Sequence, residues 1–414
     1  ARLDGALADD PAARPGWYVD VTPNHLVVSW LWGGQTDVAS QFTDGSIPQN
    51  NLTDREFYRH DVMTVTTHTL AENDEFGGKL NRHSECTDCH NPHDLVVGKG
   101  SSATGSDPWT ASGAIQGASG VTVTNAGTMT GPIYLPSPTY AFVTGNRPGT
   151  ITYEYQLCLK CHSGYTTLLG NDPAKPSQDM LDVAKEFDPA TAFPGSTLSF
   201  HPVEAPGRNT TAALELSLQG GTMTSWKLST SSTVRCTSCH GNAIADPASS
   251  TATAGDDQPA HASPYRGLLV QRYEDRVLPT QADGFQKQNF ALCFLCHSDS
   301  PFVAGSGASS PATNFSQHYF HMTALNGTGT VGTIDTPGAG QGTALCAECH
   351  FRPHSTQSTT TQYPGLVAFA PTVTGNADGN GPVWVRSTED SGSCTLTCHG
   401  HQHDASPYSR PVTP

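Results

Sequence analysis

The chain has 414 residues, only 14% of them charged, with 41 Gly and 30 Pro; against roughly 25% charged residues in an ordinary globular protein, this is a turn-rich composition. A net charge of −16 and a pI near 5.4 exclude nucleic acid and anionic membranes as partners, because such surfaces are held by Lys and Arg. The longest apolar run, Leu26 to Trp32, is far shorter than the roughly 20 residues that cross a bilayer, so no membrane span is expected, and a first residue Ala1 fits an exported protein whose signal peptide has been removed.

Residues 1–80 contain Trp17, Trp30 and Trp32 but no cysteine, and read as an N-terminal arm that packs on its own chain or docks on a neighbouring subunit. Strands are expected at Val121 to Thr124, Ile133 to Leu135, Tyr140 to Val143 and Ile151 to Tyr155, separated by Gly, Pro and Asn turns. A single helix is expected from Ser177 to Phe187, with a Ser start signal, apolar residues at helical spacing and Pro189 beyond its end. A hairpin is expected from Leu214 to Leu218 and Met223 to Leu228, and residues 301–343 read as Gly- and Ser-rich loop.

The twelve cysteines fall in six close pairs: Cys86/Cys89, Cys158/Cys161, Cys236/Cys239, Cys293/Cys296, Cys346/Cys349 and Cys394/Cys398. Each pair is followed at once by a histidine: His90, His162, His240, His297, His350 and His399. Histidine is 18 of 414 residues, so six such coincidences have a chance probability of about one in 10⁸ on the C-x-x-C-H haem-attachment pattern. Two thiols at this spacing meet the two vinyl groups of one haem as thioethers, while the adjacent imidazole reaches the iron. Zinc ribbons need two pairs per metal and no obligatory His, and disulfides predict no His at all. Cys394-Thr-Leu-Thr-Cys398-His399 has one extra residue between its thiols and is read as a sixth attachment site, with a disulfide hairpin or a reactive thiol pair as the alternative. The expected cofactor is therefore haem c, six covalently bound copies, with the six adjacent histidines as proximal iron ligands.

Twelve further histidines and only five methionines remain to supply the second axial ligands. Six bis-His haems is the favoured reading, low-spin and closed to substrate. The distal candidates, about six of them used, are His83, His93, His201, His261, His318, His321, His354 and His403. His93 and His354 follow Pro just past a proximal His, and a proline there turns the imidazole toward a neighbouring haem. His261-Ala-Ser-Pro-Tyr265 is echoed by His403-Asp-Ala-Ser-Pro-Tyr408. His25, His60, His68 and His401 read as ordinary polar histidines.

The motifs are spread along the chain, so the porphyrins themselves would supply much of the apolar core. The expected fold class is mostly irregular coil with short helices and a few small β-hairpins, wrapped around six closely stacked haems: a multihaem cytochrome c. Residues 1–80 form the haem-free arm and 81–414 one extended six-haem region.

These features, six haem motifs with C-x-x-C-H-x-x-H variants in an acidic exported chain, resemble the filament-forming extracellular multihaem cytochromes of metal-reducing microbes, the OmcS type. The resemblance covers about Glu85 to Tyr408 and lies in motif count and spacing. It implies subunits joined head to tail, a continuous haem chain, and a histidine of one subunit ligating a haem in the next; the position matching the family's intersubunit C-H-x-x-H ligand is His93. The spacing at His354 and His403, the C-x-x-x-C-H site and the haem-free first 80 residues depart from the family. An open heterologous interface propagates without closing, and two propionates per ferric haem would take the charge to roughly −22 per subunit.

The sequence thus points to an electron conduit rather than an enzyme, extracellular or at the cell surface. Its partners would be copies of itself, upstream outer-surface or periplasmic cytochromes, and extracellular acceptors such as metal oxides. The alternatives are a monomeric periplasmic or surface carrier and a multihaem reductase. A reductase needs an open iron face, and no C-x-x-C-K motif is present.

Overall fold

The computed structural model describes residues 16–22, 25–31, 58–60, 84–124, 139–145, 150–163, 165, 199–207, 209–219, 228–244, 259–273, 278–303, 313, 315, 317–323, 332–335, 342–355, 365–388 and 391–409. Their regular elements are short. Strands β1 (Gly16–Thr22) and β2 (His25–Leu31) pair antiparallel with Trp17 opposite Trp30, the β-branched and aromatic content expected of strands. Strand β3 (Tyr58–Arg59) lies far from them in pairing: it joins β6 (Ala262–Ser263), with Tyr58 opposite Ser263.

Helix α1 (Cys86–Cys89) is a single turn. It is followed by the hairpin of β4 (Gly120–Thr124) and β5 (Thr139–Val143), then by α2 (Glu154–Cys161). The next helices are α3 (Ala212–Leu218), α4 (Ala291–Phe294), α5 (Ser300–Val303), α6 (His318–Thr323) and α7 (Cys346–Cys349). A C-terminal sheet closes the chain: β7 (Val373–Thr374) and β8 (Val383–Thr388) both pair with β9 (Ser391–Cys398), whose other edge takes β10 (His401–Ser409).

The strands expected at 121–124 and 140–143 are present as β4 and β5, each one residue longer at its start. The strand expected over 151–155 is instead the entry to α2. Gln156 Oε1 accepts from the Thr152 and Tyr153 amides at 2.8 and 3.0 Å, turning the chain into the helix. Leu214 to Leu218 lies in α3 rather than in a hairpin. Thr211 Oγ1 caps the helix by accepting from Leu214 N at 3.3 Å, and Ala-Ala-Leu-Glu-Leu carries strong helix propensity. The expected loop over 301–343 contains the end of α5 and all of α6. The helix expected over 177–187, the strand at 133–135 and the Met223 arm of the hairpin, up to residue 227, lie outside the described residues.

The apolar core is divided. Among the described residues the buried side chains gather in separate small clusters, such as Val270, Tyr273, Leu292, Leu295 and Ala347, or Phe290, Phe294, Met322 and Leu345. Cys346 packs against both of these, and Cys293 and Cys296 against the first, so this core is organised around the cysteine turns. No described helix is long and apolar enough to cross a membrane.

Candidate metal centres

Five of the six cysteine motifs share one local geometry. The chain makes a single tight turn between the two cysteines, and the amide of the following histidine donates to the first cysteine's carbonyl: His90 to Cys86, His162 to Cys158, His240 to Cys236 and His297 to Cys293 at 2.9 Å, His350 to Cys346 at 2.8 Å. That i to i+4 closure carries both thiols and the imidazole on one turn. None of the twelve thiols is disulfide-bonded.

The imidazoles come in facing pairs. Ring centroids lie 6.2 Å apart for His90 and His261, 6.2 Å for His60 and His162, 5.8 Å for His240 and His354, and 6.4 Å for His318 and His350. The strongest neighbouring charge acting on His297 is His201. Two imidazoles on opposite sides of one iron, with metal–nitrogen bonds of about 2.0 Å and about 1.1 Å from nitrogen to ring centre, would stand about 6.2 Å apart. The four measured pairs match that span within 0.4 Å, so the residues fit a haem iron.

Second partners of the rings agree. The Nδ1–H groups of His90, His240 and His350 donate to the carbonyls of Ala114, Gly267 and Leu366 at 2.7, 2.7 and 3.0 Å. His60 donates to Ala260 O at 2.8 Å, and His201 to Pro353 O. A carbonyl only accepts, so these bonds fix the proton on Nδ1 and leave the Nε2 lone pair for a metal. His297 and His318 use hydroxyls in the same way. Ser217 and Thr313 spend their own protons on the Leu214 and Phe315 carbonyls and therefore accept from the rings at 3.1 and 2.6 Å.

Burial holds these rings neutral, pushing His162, His240 and His297 down to about 4 and His261 and His318 to about 3, with neighbouring imidazoles adding to the effect. Burial also raises the Cys89 thiol to about 12; such a thiol stays protonated and is a poor metal ligand.

Successive pairs act on one another electrostatically in chain order: His261 is affected by His60, His162 by His240 and His354, His201 by His354 and His350, and His318 by His321. Cysteines of successive motifs also meet: Cys158 is in hydrogen-bond contact with Cys236, and Cys293 with Cys346. Among the described residues no group of three or more His, Cys, Asp or Glu is arranged to hold a bare metal ion; two imidazoles are what a porphyrin iron still lacks.

The sixth motif differs. Cys394 and Cys398 lie on β9, and His399 is in the turn beyond it. Here the facing pair is His321 and His403, 6.4 Å apart. His93 is exposed, its amide donating to Asn91 Oδ1 at 3.1 Å, and His83 lies outside the described residues.

Residues 1–46 match the family described as Alpha-lytic protease prodomain, about a ninth of the chain and none of its cysteine motifs. No curated protein and no solved structure matches the chain.

The residue missed in the sequence is His60. Its neighbours Tyr58 and Arg59 pair with β6, and its own Nδ1 is anchored on Ala260, directly before His261. The segment 58–60, within the expected haem-free arm, thus brings an imidazole to the second motif. A short polar stretch carries no local signal of such a pairing.

Proposed function

We propose that the chain is an electron-transfer multihaem cytochrome of six bis-His haems, exported and working as a conduit for respiratory electrons. The observation that supports this reading is the set of imidazole pairs: at four motifs the histidine that follows the cysteines faces a second imidazole, and at a fifth His201 is its strongest charged neighbour. Bound haems would supply iron centres that change oxidation state, spaced for electrons to hop between neighbours. The chain's own part is to tether, to ligate with neutral imidazoles fixed through Nδ1, and to exclude water.

Paired imidazoles would close both faces of a haem iron held between them, which speaks for electron transfer over a reductase. The resemblance to filament-forming cytochromes supports assembly end to end, with copies of the chain as partners and an extracellular acceptor such as a metal oxide. The alternative is a monomeric carrier, which would share the same motifs and ligand pairs without an assembling interface.

The test is intact mass and absorption of the exported protein, followed by electron microscopy. Six covalent haems with low-spin spectra are expected, in unbranched filaments. Discrete particles of monomer size with six haems would leave the carrier, and a chain without haem would overturn the reading.

A further inference from the structure

The extra residue in Cys394-Thr-Leu-Thr-Cys398-His399 changes which imidazole faces the site. Thr395 and Thr397 favour extended backbone, and the segment is strand β9 rather than a helical turn. His399 and Gly400, with φ of 48° and 81°, form the two-residue turn into β10, the positive-φ pair that tight hairpins prefer.

His399 is then occupied. Its Nε2 lies 3.0 Å from Glu348 Oε2, its Nδ1 meets Asp335 Oδ1, and its side chain is 3% exposed. Both nitrogens face carboxylate oxygens of Glu348 and Asp335, so neither ring edge is turned toward the thiols' haem site. Among the described residues the other motif histidines with a ring hydrogen bond, His90, His240, His297 and His350, use a carbonyl or a hydroxyl instead.

Across the hairpin the register puts His403 opposite Leu396, midway between Cys394 and Cys398. Side chains alternate along a strand and opposed residues share a face. Cys394, Cys398 and His403 therefore rise from one face of the sheet, with the imidazole between the thiols. His321 faces His403 at 6.4 Å and 32° between ring planes, close to the 6.4 Å and 30° of His318 and His350. His321 Nδ1–H donates to Gln317 O at 2.8 Å, which leaves its Nε2 free.

We propose that the sixth haem, tethered by Cys394 and Cys398, takes His403 and His321 as its axial pair, and that His399 is a turn residue clamped by Glu348 and Asp335. This rests on the six-haem reading and assigns one of its sites.

The experiment uses the full haem-loaded chain, with haem number from intact mass and spin state from electron paramagnetic resonance. His403→Ala and His321→Ala are each expected to keep six haems and turn one iron in six high-spin, while His399→Ala leaves all six low-spin. Six low-spin irons in His403→Ala, or the one-in-six high-spin fraction from His399→Ala, would overturn the assignment. Should His403→Ala fail to accumulate, His403→Met decides: a thioether ligand raises the potential of one haem in six in voltammetry, and six unchanged potentials refute the proposal. Wild-type protein without haem refutes the underlying reading instead, a result that mass alone distinguishes.

Discussion

His60 and His162 face each other with ring centroids 6.2 Å apart, although one precedes every cysteine in the chain and the other ends the second cysteine turn. The contact is held by two strand residues on each side, Tyr58–Arg59 against Ala262–Ser263, and by the Nδ1 bond of His60 to Ala260.

Replacing His60 with Ala is therefore expected to keep six haems by mass while one iron in six becomes high-spin and binds carbon monoxide when reduced. His93→Ala, at an exposed position, is expected to leave the spectrum of the single subunit unchanged. An unchanged spectrum in His60→Ala would remove it from the ligand set.

Acid should unfold the chain through its histidines. The folded values of His162, His240 and His297 lie near 4, below the ordinary 6.5, so between those values the unfolded chain binds more protons. Stability is fully present above about pH 6.5 and falls with pH, by about 1.4 kcal/mol per unit for each such histidine until its folded value is reached. Iron ligation acts in the same direction, because only the neutral ring binds. A titration of the low-spin absorption from pH 7 to 3 is expected to show a loss steeper than one proton.

Without haem attachment the thiols should pair across motifs rather than within them. Cys158 touches Cys236 and Cys293 touches Cys346, whereas each C-x-x-C pair is set on its own turn. Mild oxidation of haem-free protein followed by peptide mapping is expected to give Cys158–Cys236 and Cys293–Cys346 disulfides. Bridges confined within motifs would show that the haem-free chain does not hold the turns together.

Glu154 joins two motifs. It is 5% exposed and accepts from Thr237 N at 3.0 Å and Thr237 Oγ1 at 2.8 Å, tying the start of α2 to the third cysteine turn. Glu154→Ala leaves both donors of Thr237 without this acceptor and is expected to cost about 2–3 kcal/mol, read as a lower denaturation midpoint. The haem count should be unchanged, since Glu154 is not a ligand.

The cysteine turns were legible because each is local: the pair and its histidine lie within five residues and close on one i to i+4 bond. The partners were legible only where sequence context marked them, as at His261, and His60 was invisible because a long-range strand pairing delivers it. At the sixth motif one inserted residue and two threonines replaced a turn by a strand, so the adjacency of His399 to Cys398 misleads about its surroundings. At the helical entry to Glu154 the local sequence signals strand, because Ile151 and Tyr153 carry β propensity, which the Gln156 side chain overrides by capping the backbone.

The series of pairs follows the order of the motifs, yet the pairs do not become whole in that order. A chain emerging N-terminus first holds both rings of His60/His162 once residue 162 has appeared. The first motif must wait for His261, and the third, with His354, is completed after the fourth and fifth, whose partners His201 and His318 precede them. In a chain made N-terminus first the middle of the series is thus among the last parts to close, and a truncation just before His354 would open a gap at its centre as well as remove the sixth motif.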